Sequence, residues 1–528
     1  MTVRDFQGGG RSAGYGTRAM ITTSHPDASL VGIDILRRGG SAVDAAIAAC
    51  AMLCVVEPAM TGIGGDCFAI VAKPGEPALS LNGSGRSAAG ATMEAARRRK
   101  LSTIVDNDPF AVTIPGAVDA WCSLHAKYGK LEFEELMRPA AMRAEEGYVV
   151  APRVAHDWSL QATRLARHAD TAAVFLPDGQ PPTTGERHRQ PALAATLRSI
   201  GRVGRAGFYE GPVADDMVST LAALGGPQTL DDFAAQRSDY EAPVSTRFRD
   251  HDVLECPPNG QGATALLILR ALEDWDMWCG QTDAKARAHL FVQATRQAYR
   301  LRDLGITDPD AMRIGVEEFL SDRTVKAVRD YALDEAATPL AAIAPWETDT
   351  ICLSVVDPDG IAVSFINSLF VPFGSTILAP ASGVMLHCRG TSFSLDASHP
   401  NCLAPRKRPM HTIIPGMLMR DGRAIMPFGV MGGQYQAAGH AALLVRILED
   451  KMDLQSAIDA PRLFGYGDVV QVEAGIDSGV VEHLAGLGHR VERVLTPLGG
   501  AQAIWIDHER GVLIGGSDPR KDGCALGF

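Results

Sequence analysis

Residues 348–375 read TDTICLSVVDPDGIAVSFINSLFVPFGS, and the expected architecture grows outward from them. Ile351 to Val356 is apolar and rich in β-branched residues, Asp357-Pro358-Asp359-Gly360 is a strong turn, and Ile361 to Ile366 is a second apolar run. Two such runs around a Pro-Asp-Gly turn predict an antiparallel hairpin. Upstream, AATPLAAIAPWETD at 336–349 has two prolines, no apolar periodicity and an acidic end, so a surface loop or linker is expected. Downstream, AIWID, the turn His508 to Gly511 and VLIGG predict a second hairpin. The middle of the chain, 113–335, reads as mostly helical, as in AKARAHLFVQATRQAYRLRD. Hairpins alternating with helices favour an α+β layered sandwich with antiparallel sheets over a doubly wound parallel sheet.

Toward the N-terminus, Ser24-His25-Pro26 opens a helix that stops at Gly39-Gly40, and Ser41 caps a second, AVDAAIAACAMLCVV. That second helix is apolar almost all round, so it should be buried, with Cys50 and Cys54 one turn apart on it. Short strands are expected at Cys67 to Ala72 and Ala78 to Leu81. The run Arg97 to Lys100 suits the C-terminal end of a helix. Gly83 to Ala88 fits a GxGxxA dinucleotide fingerprint, with Asp106 near the ribose-binding position. The preceding strand is short and no βαβ rhythm follows, so a turn is the expected reading.

A chain of 528 residues with 46% hydrophobic and 21% charged residues suits a well-packed globular protein, not a disordered one. A net charge of −12 argues against nucleic-acid and anionic-membrane partners. The longest apolar stretch, Ala45 to Val56, is too short to span a bilayer, and MTVRDFQGGGRSAGYG lacks a secretory core, so a cytoplasmic location is expected. The ten cysteines then read as reduced thiols, without a CxxC pair or a His–Cys cluster of zinc spacing.

The 348–375 passage resembles the start of the small subunit in the γ-glutamyltransferase family of N-terminal nucleophile hydrolases. In that family the proenzyme cuts itself before a Thr four residues ahead of a Ser-Val-Val-Asp strand. Ser354-Val355-Val356-Asp357 places that Thr at 350. Similar signatures run in family order along the chain: SHPDASLVGIDILRRGGSAVDAAIAA, VVEPAMTGIGGD, TIPGAVDAW, ECPPNGQG, PRKRPMHTIIPGMLMRDG, AIDAPR and SDPRKDG.

The resemblance implies a four-layer αββα sandwich, cut between Asp349 and Thr350 into a large subunit, 1–349, and a small one, 350–528. These are expected to stay together as an obligate heterodimer. Thr350 is implied to be the nucleophile, with its freed α-amine as base, since an α-amine has a pKa near 8. Gly432 and Gly433 are implied to form the oxyanion hole, and Ser368 to be a supporting hydroxyl. Acyl transfer of this kind implies neither cofactor nor metal.

The substrate pocket departs from the γ-glutamyl pattern. The carboxylate-binding Arg falls near Ser84, with Arg86 displaced by two, and an Asn becomes Phe370. The Gln and Asp that receive the amine become Arg389 and Ser392, and a Ser-Ser pair becomes His411-Thr412. Exchanging an Asp for Arg389 should repel an ammonium and attract an anion. These replacements are similar to those of the oxamate amidohydrolase branch and its acylase-like relatives. The expected activity is hydrolysis of a small anionic amide, with Arg389 on its carboxylate. A γ-glutamyltransferase or glutathione hydrolase with a rebuilt pocket is the nearest alternative, an uncut binding homologue the next, and a nucleotide-dependent oxidoreductase the last.

Overall fold

The computed structural model describes residues 10–280, 283–334 and 349–528. Apart from Asp349, the expected linker 336–349 lies outside the described residues.

The first two helices form as their caps dictate. Ser41 accepts from the Asp44 N–H while Asp44 accepts from the Ser41 N–H, a closed capping box that starts the helix Ala42–Val56. Every residue of that helix is buried. The preceding helix, Pro26–Arg37, is capped by His25, whose Nδ1 accepts the Asp27 N–H at 3.2 Å. Ser24 instead donates to Glu57 at 2.6 Å, tying the start of one helix to the end of the other.

Two seven-stranded antiparallel sheets make the centre. One runs Ala525–Gly527, Met20–Thr22, Asp349–Val356, Ala362–Phe370, Asp66–Ala72, Leu79–Gly83 and Asp239–Glu241. The other runs Gly14–Gly16, Val512–Ser517, Gly500–Asp507, Arg423–Met431, Gly416–Arg420, His251–Glu255 and Val244–Phe248. Both expected hairpins are present. The middle is mostly helical as expected, and it also carries the strands at 239–255, of which Val244–Phe248 alternates exposed and half-buried positions at a sheet edge, where periodicity is weak.

Side-chain alternation builds the layers. Cys352, Val356, Ala362 and Ile366 meet Met417, Met431, Ile504 and Leu513 between the sheets. Ile351, Leu353, Val355 and Val363 point outward into the helices around Ala42–Val56. On the other side Val253, Leu418, Phe428 and Val430 pack under the helices Gly262–Leu272 and Gln436–Leu448. The result is the expected four-layer αββα sandwich.

Gly83 ends the strand Leu79–Gly83, and Ser84 to Ala88 is irregular backbone instead of the expected turn, which comes only at Ala89-Gly90. No helix begins until Met93, and Asp106 is held by Arg164 and Arg167. A Cβ on Gly85 would lie 1.6 Å from the Ile114 carbonyl oxygen, so close backbone packing accounts for that glycine. Among the described residues no disulfide forms, no helix is long and apolar enough to cross a membrane, and no three His, Cys, Asp or Glu side chains form a metal-ligating group.

Candidate active site

The central hairpin pairs regularly from Val356 opposite Ala362 to Ile351 opposite Asn367, and then slips, so that Asp349 faces Phe370. The second strand therefore carries an extra residue opposite Thr350. Such a bulge breaks the ladder and re-aims side chains. Thr350 Oγ1 lies 3.1 Å from Ser368 Oγ, which also accepts the Phe370 N–H at 2.8 Å. Thr350 is 1% exposed.

Phe370 has a φ of 83°, the left-handed region that costs a bulky residue about 1–3 kcal/mol. Its ring carries the Arg389 guanidinium, 3.7 Å from the centroid. Arg389 is fully buried, and its Nη1 donates to Thr412 Oγ1 at 3.0 Å. Its Nε and Nη2 have no hydrogen-bond partner among the described residues. Burial pushes the guanidinium down to about 9, against the pull of Asp66. A buried cation with two unsatisfied donors is costly unless an anion completes it.

Asp66 lies opposite Ser368 on the neighbouring strand. Its Oδ1 accepts the Gly85 and Gly116 N–H groups at 2.9 and 3.2 Å. Its Oδ2 is 3.0 Å from His411 Nε2 and 3.4 Å from His387 Nδ1. His411 Nδ1 accepts the Ile413 N–H, so the ring donates to Asp66 through Nε2. Burial, reinforced by Arg389, pushes His411 down to about 3. Burial alone would raise Asp66, but the two imidazoles outweigh it and hold the carboxylate well below its ordinary range.

Gly432 and Gly433 end the strand Arg423–Met431, with φ values of 110° and 51° that suit glycine. Their N–H groups donate to no described residue. Gln261 fixes this turn: its Nε2 donates to the carbonyls of Gly433 and Thr412, at 3.0 and 2.7 Å. Gln261 Oε1 is held in turn by buried Arg302 at 2.6 Å. Gln436, the first residue of the following helix, directs Nε2 at Thr350 Oγ1 over 3.4 Å.

Thr350, Ser368, Phe370, Arg389, His411 and Thr412 are thus linked by contacts, with Gly432-Gly433 joined to them through Gln261. Ser392 shares the short helical turn of Arg389, but no hydrogen bond joins its hydroxyl to the cluster; its carbonyl accepts from Asn401. Ser84 hydrogen-bonds Asn82 and Asn259, and Arg86 faces Asp239 and Asp308 at the surface. Neither reaches Arg389. A cleft of about 620 Å³ lies at the far, turn end of the same hairpin and is lined by none of these residues.

Asp66, His387, Gln261 and Gln436 were not singled out in the sequence. The first three lie inside passages that carry signals, GIGGD, HCRGTSFS and ECPPNGQG, while GGQYQAAGH offers no cue for Gln436.

Comparison with known proteins agrees along the whole chain. The family description gamma-glutamyltranspeptidase matches residues 28–528. A glutathione hydrolase-like YwrD proenzyme of Bacillus subtilis is 38% identical over 97% of this chain and 99% of its own. An oxamate amidohydrolase proenzyme of Klebsiella pneumoniae is 34% identical over 98% and 100%. The crystal structure of cephalosporin acylase from Bacillus halodurans superposes with a TM-score of 0.93 at 36% identity, covering 100% of this chain and 99% of that one. The chain belongs to the gamma-glutamyltranspeptidase family, whose members act on amide bonds.

Proposed function

We propose that the chain is a self-cleaving amidohydrolase for a small anionic amide, of which oxamate is the simplest. Thr350 Oγ1 attacks the Asp349 carbonyl carbon, and hydrolysis of the resulting ester leaves residues 1–349 and 350–528, the latter with a free α-amine. In turnover that amine takes the Thr350 hydroxyl proton as the oxygen attacks the substrate amide. Gly432 and Gly433 N–H groups receive the developing oxyanion. The proton passes to the leaving ammonia, and water hydrolyses the acyl ester, giving a dicarboxylate from oxamate.

The observation that carries this reading is Arg389, a buried cation whose Nε and Nη2 have no partner among the described residues and which stacks on Phe370, whose N–H donates to Ser368. Its fork geometry suits a carboxylate. The proenzyme names of the two relatives support cleavage, and one of them names oxamate. The other is named glutathione hydrolase-like, which favours glutathione as the second reading.

Intact-mass spectrometry and a paired assay test the proposal. The purified protein is expected as fragments 1–349 and 350–528 that release ammonia from oxamate. Thr350→Ala is expected uncut and inactive. Glutamate release from glutathione without oxamate turnover would shift the substrate to the second reading, and cleavage of Thr350→Ala at 349–350 would remove Thr350 as nucleophile.

A further inference from the structure

Gln436 opens the helix Gln436–Leu448, and its side chain spans two segments that are far apart in sequence. Its Oε1 accepts the Ile414 N–H at 3.0 Å. A backbone N–H only donates, so this bond fixes which end of the amide is oxygen. Nε2 is therefore the end that faces Thr350 Oγ1, at 3.4 Å. Ser368 Oγ already accepts the Phe370 N–H and lies 3.1 Å from Thr350 Oγ1.

One turn later the same helix meets the strand that delivers Gly432. His440 Nε2 accepts the Val430 N–H at 3.2 Å, and His440 Nδ1 donates to Glu255 at 2.6 Å. Gln436 and His440 are both fully buried. The Thr350 oxygen and the approach to the glycine pair are thus referenced to successive turns of one rigid element.

From this geometry we infer that Gln436 is a further catalytic residue, whose amide N–H donates to Thr350 Oγ1 and directs the hydroxyl hydrogen toward Ser368. The Thr350 hydroxyl is thereby held in one orientation. The inference rests on the reading of Thr350 as nucleophile. The donor acts in the uncut chain, so self-cleavage reports on it whatever the substrate is.

The test compares self-cleavage rates of freshly purified full-length protein across pH 4–9, an experimental range, for wild type, Gln436→Met, Gln436→Glu and Thr350→Ala. Gln436→Met keeps length and loses both polar ends. It is expected to cleave about 10–100-fold more slowly, the scale of a misoriented reacting group. Gln436→Glu keeps the acceptor for Ile414 but presents a donor to Thr350 only when protonated. Its rate relative to wild type is expected to recover as pH falls through the carboxyl titration, which a purely structural defect would not reproduce.

Wild-type rates for both variants at every pH, with Thr350→Ala uncut, would overturn the role of Gln436 and leave that of Thr350 standing. Slow cleavage of Gln436→Glu without recovery at low pH would also overturn it. Should Gln436→Met fail to fold, Gln436→Glu alone decides between these results. Cleavage of Thr350→Ala at 349–350 would remove the nucleophile reading itself, and this inference with it.

Discussion

Arg389 concentrates the specificity question in one side chain. It is held by Thr412 at Nη1 and by the face of Phe370, which leaves Nε and Nη2 as the donors for a ligand. A charged hydrogen bond contributes roughly 1.5–3 kcal/mol, so Arg389→Gln is expected to lower kcat/KM for an acidic amide about 10–100-fold. Self-cleavage, which involves no substrate carboxylate, should continue. Arg389→Lys should recover only part of the loss, because an ammonium cannot offer two parallel donors or stack as the guanidinium does. Steady-state kinetics on oxamate beside a mass check for cleavage reads both effects. Unchanged turnover of acidic amides by Arg389→Gln would dismiss the pocket.

The elements divide sharply in how far the sequence announces them. The helix Ala42–Val56 was legible to the residue, since its cap, its apolar surround and its stop at Glu57 all lie within the local sequence. Ser41→Ala removes the cap that closes that box and should lower stability by about 1 kcal/mol, measured by urea unfolding of the purified protein. The central hairpin was equally legible from its Pro-Asp-Gly turn. Its bulge was not, because the extra residue opposite Thr350 is a property of pairing between strands. The edge strand Val244–Phe248 and its neighbour His251–Glu255 escaped for a related reason: pairing, more than composition, makes them strands. In the site, residues with a distinctive change of charge, such as Arg389, stood out. Asp66 and Gln436 did not, since their partners are brought together only by the fold: His387 and His411 for Asp66, Thr350 and Ile414 for Gln436.

At the scale of the whole molecule, buried histidines set the response to acid. Burial foremost pushes His411 and His489 down to about 3 and His188 to about 4. Between those values and the ordinary His pKa near 6.5, the unfolded chain binds protons that the folded chain refuses, so stability falls as pH falls through that window. Asp66, held below the ordinary carboxylate range, adds a loss of the same sign at lower pH. The melting temperature is therefore expected to drop steadily from pH 7 to pH 4, and a flat profile would contradict these burials. The two sheets also interleave the proposed fragments. Met20–Thr22 and Asp66–Ala72, from the first, flank the hairpin 350–370 of the second. Cleaved protein should elute as one species in gel filtration and separate only in denaturant. That interleaving has a consequence for lifetime. Before the cut, every strand pairing closes a loop within one chain; after it, the pairings that join the two fragments, such as Met20–Thr22 with the strand beginning at 349 and Asp66–Ala72 with Ala362–Phe370, require two chains to meet, and refolding becomes second order. Thermal inactivation of the processed protein should then be governed by its unfolding rate and be recovered poorly on dilution, whereas the uncut Thr350→Ala chain should regain its native signal with a yield independent of concentration.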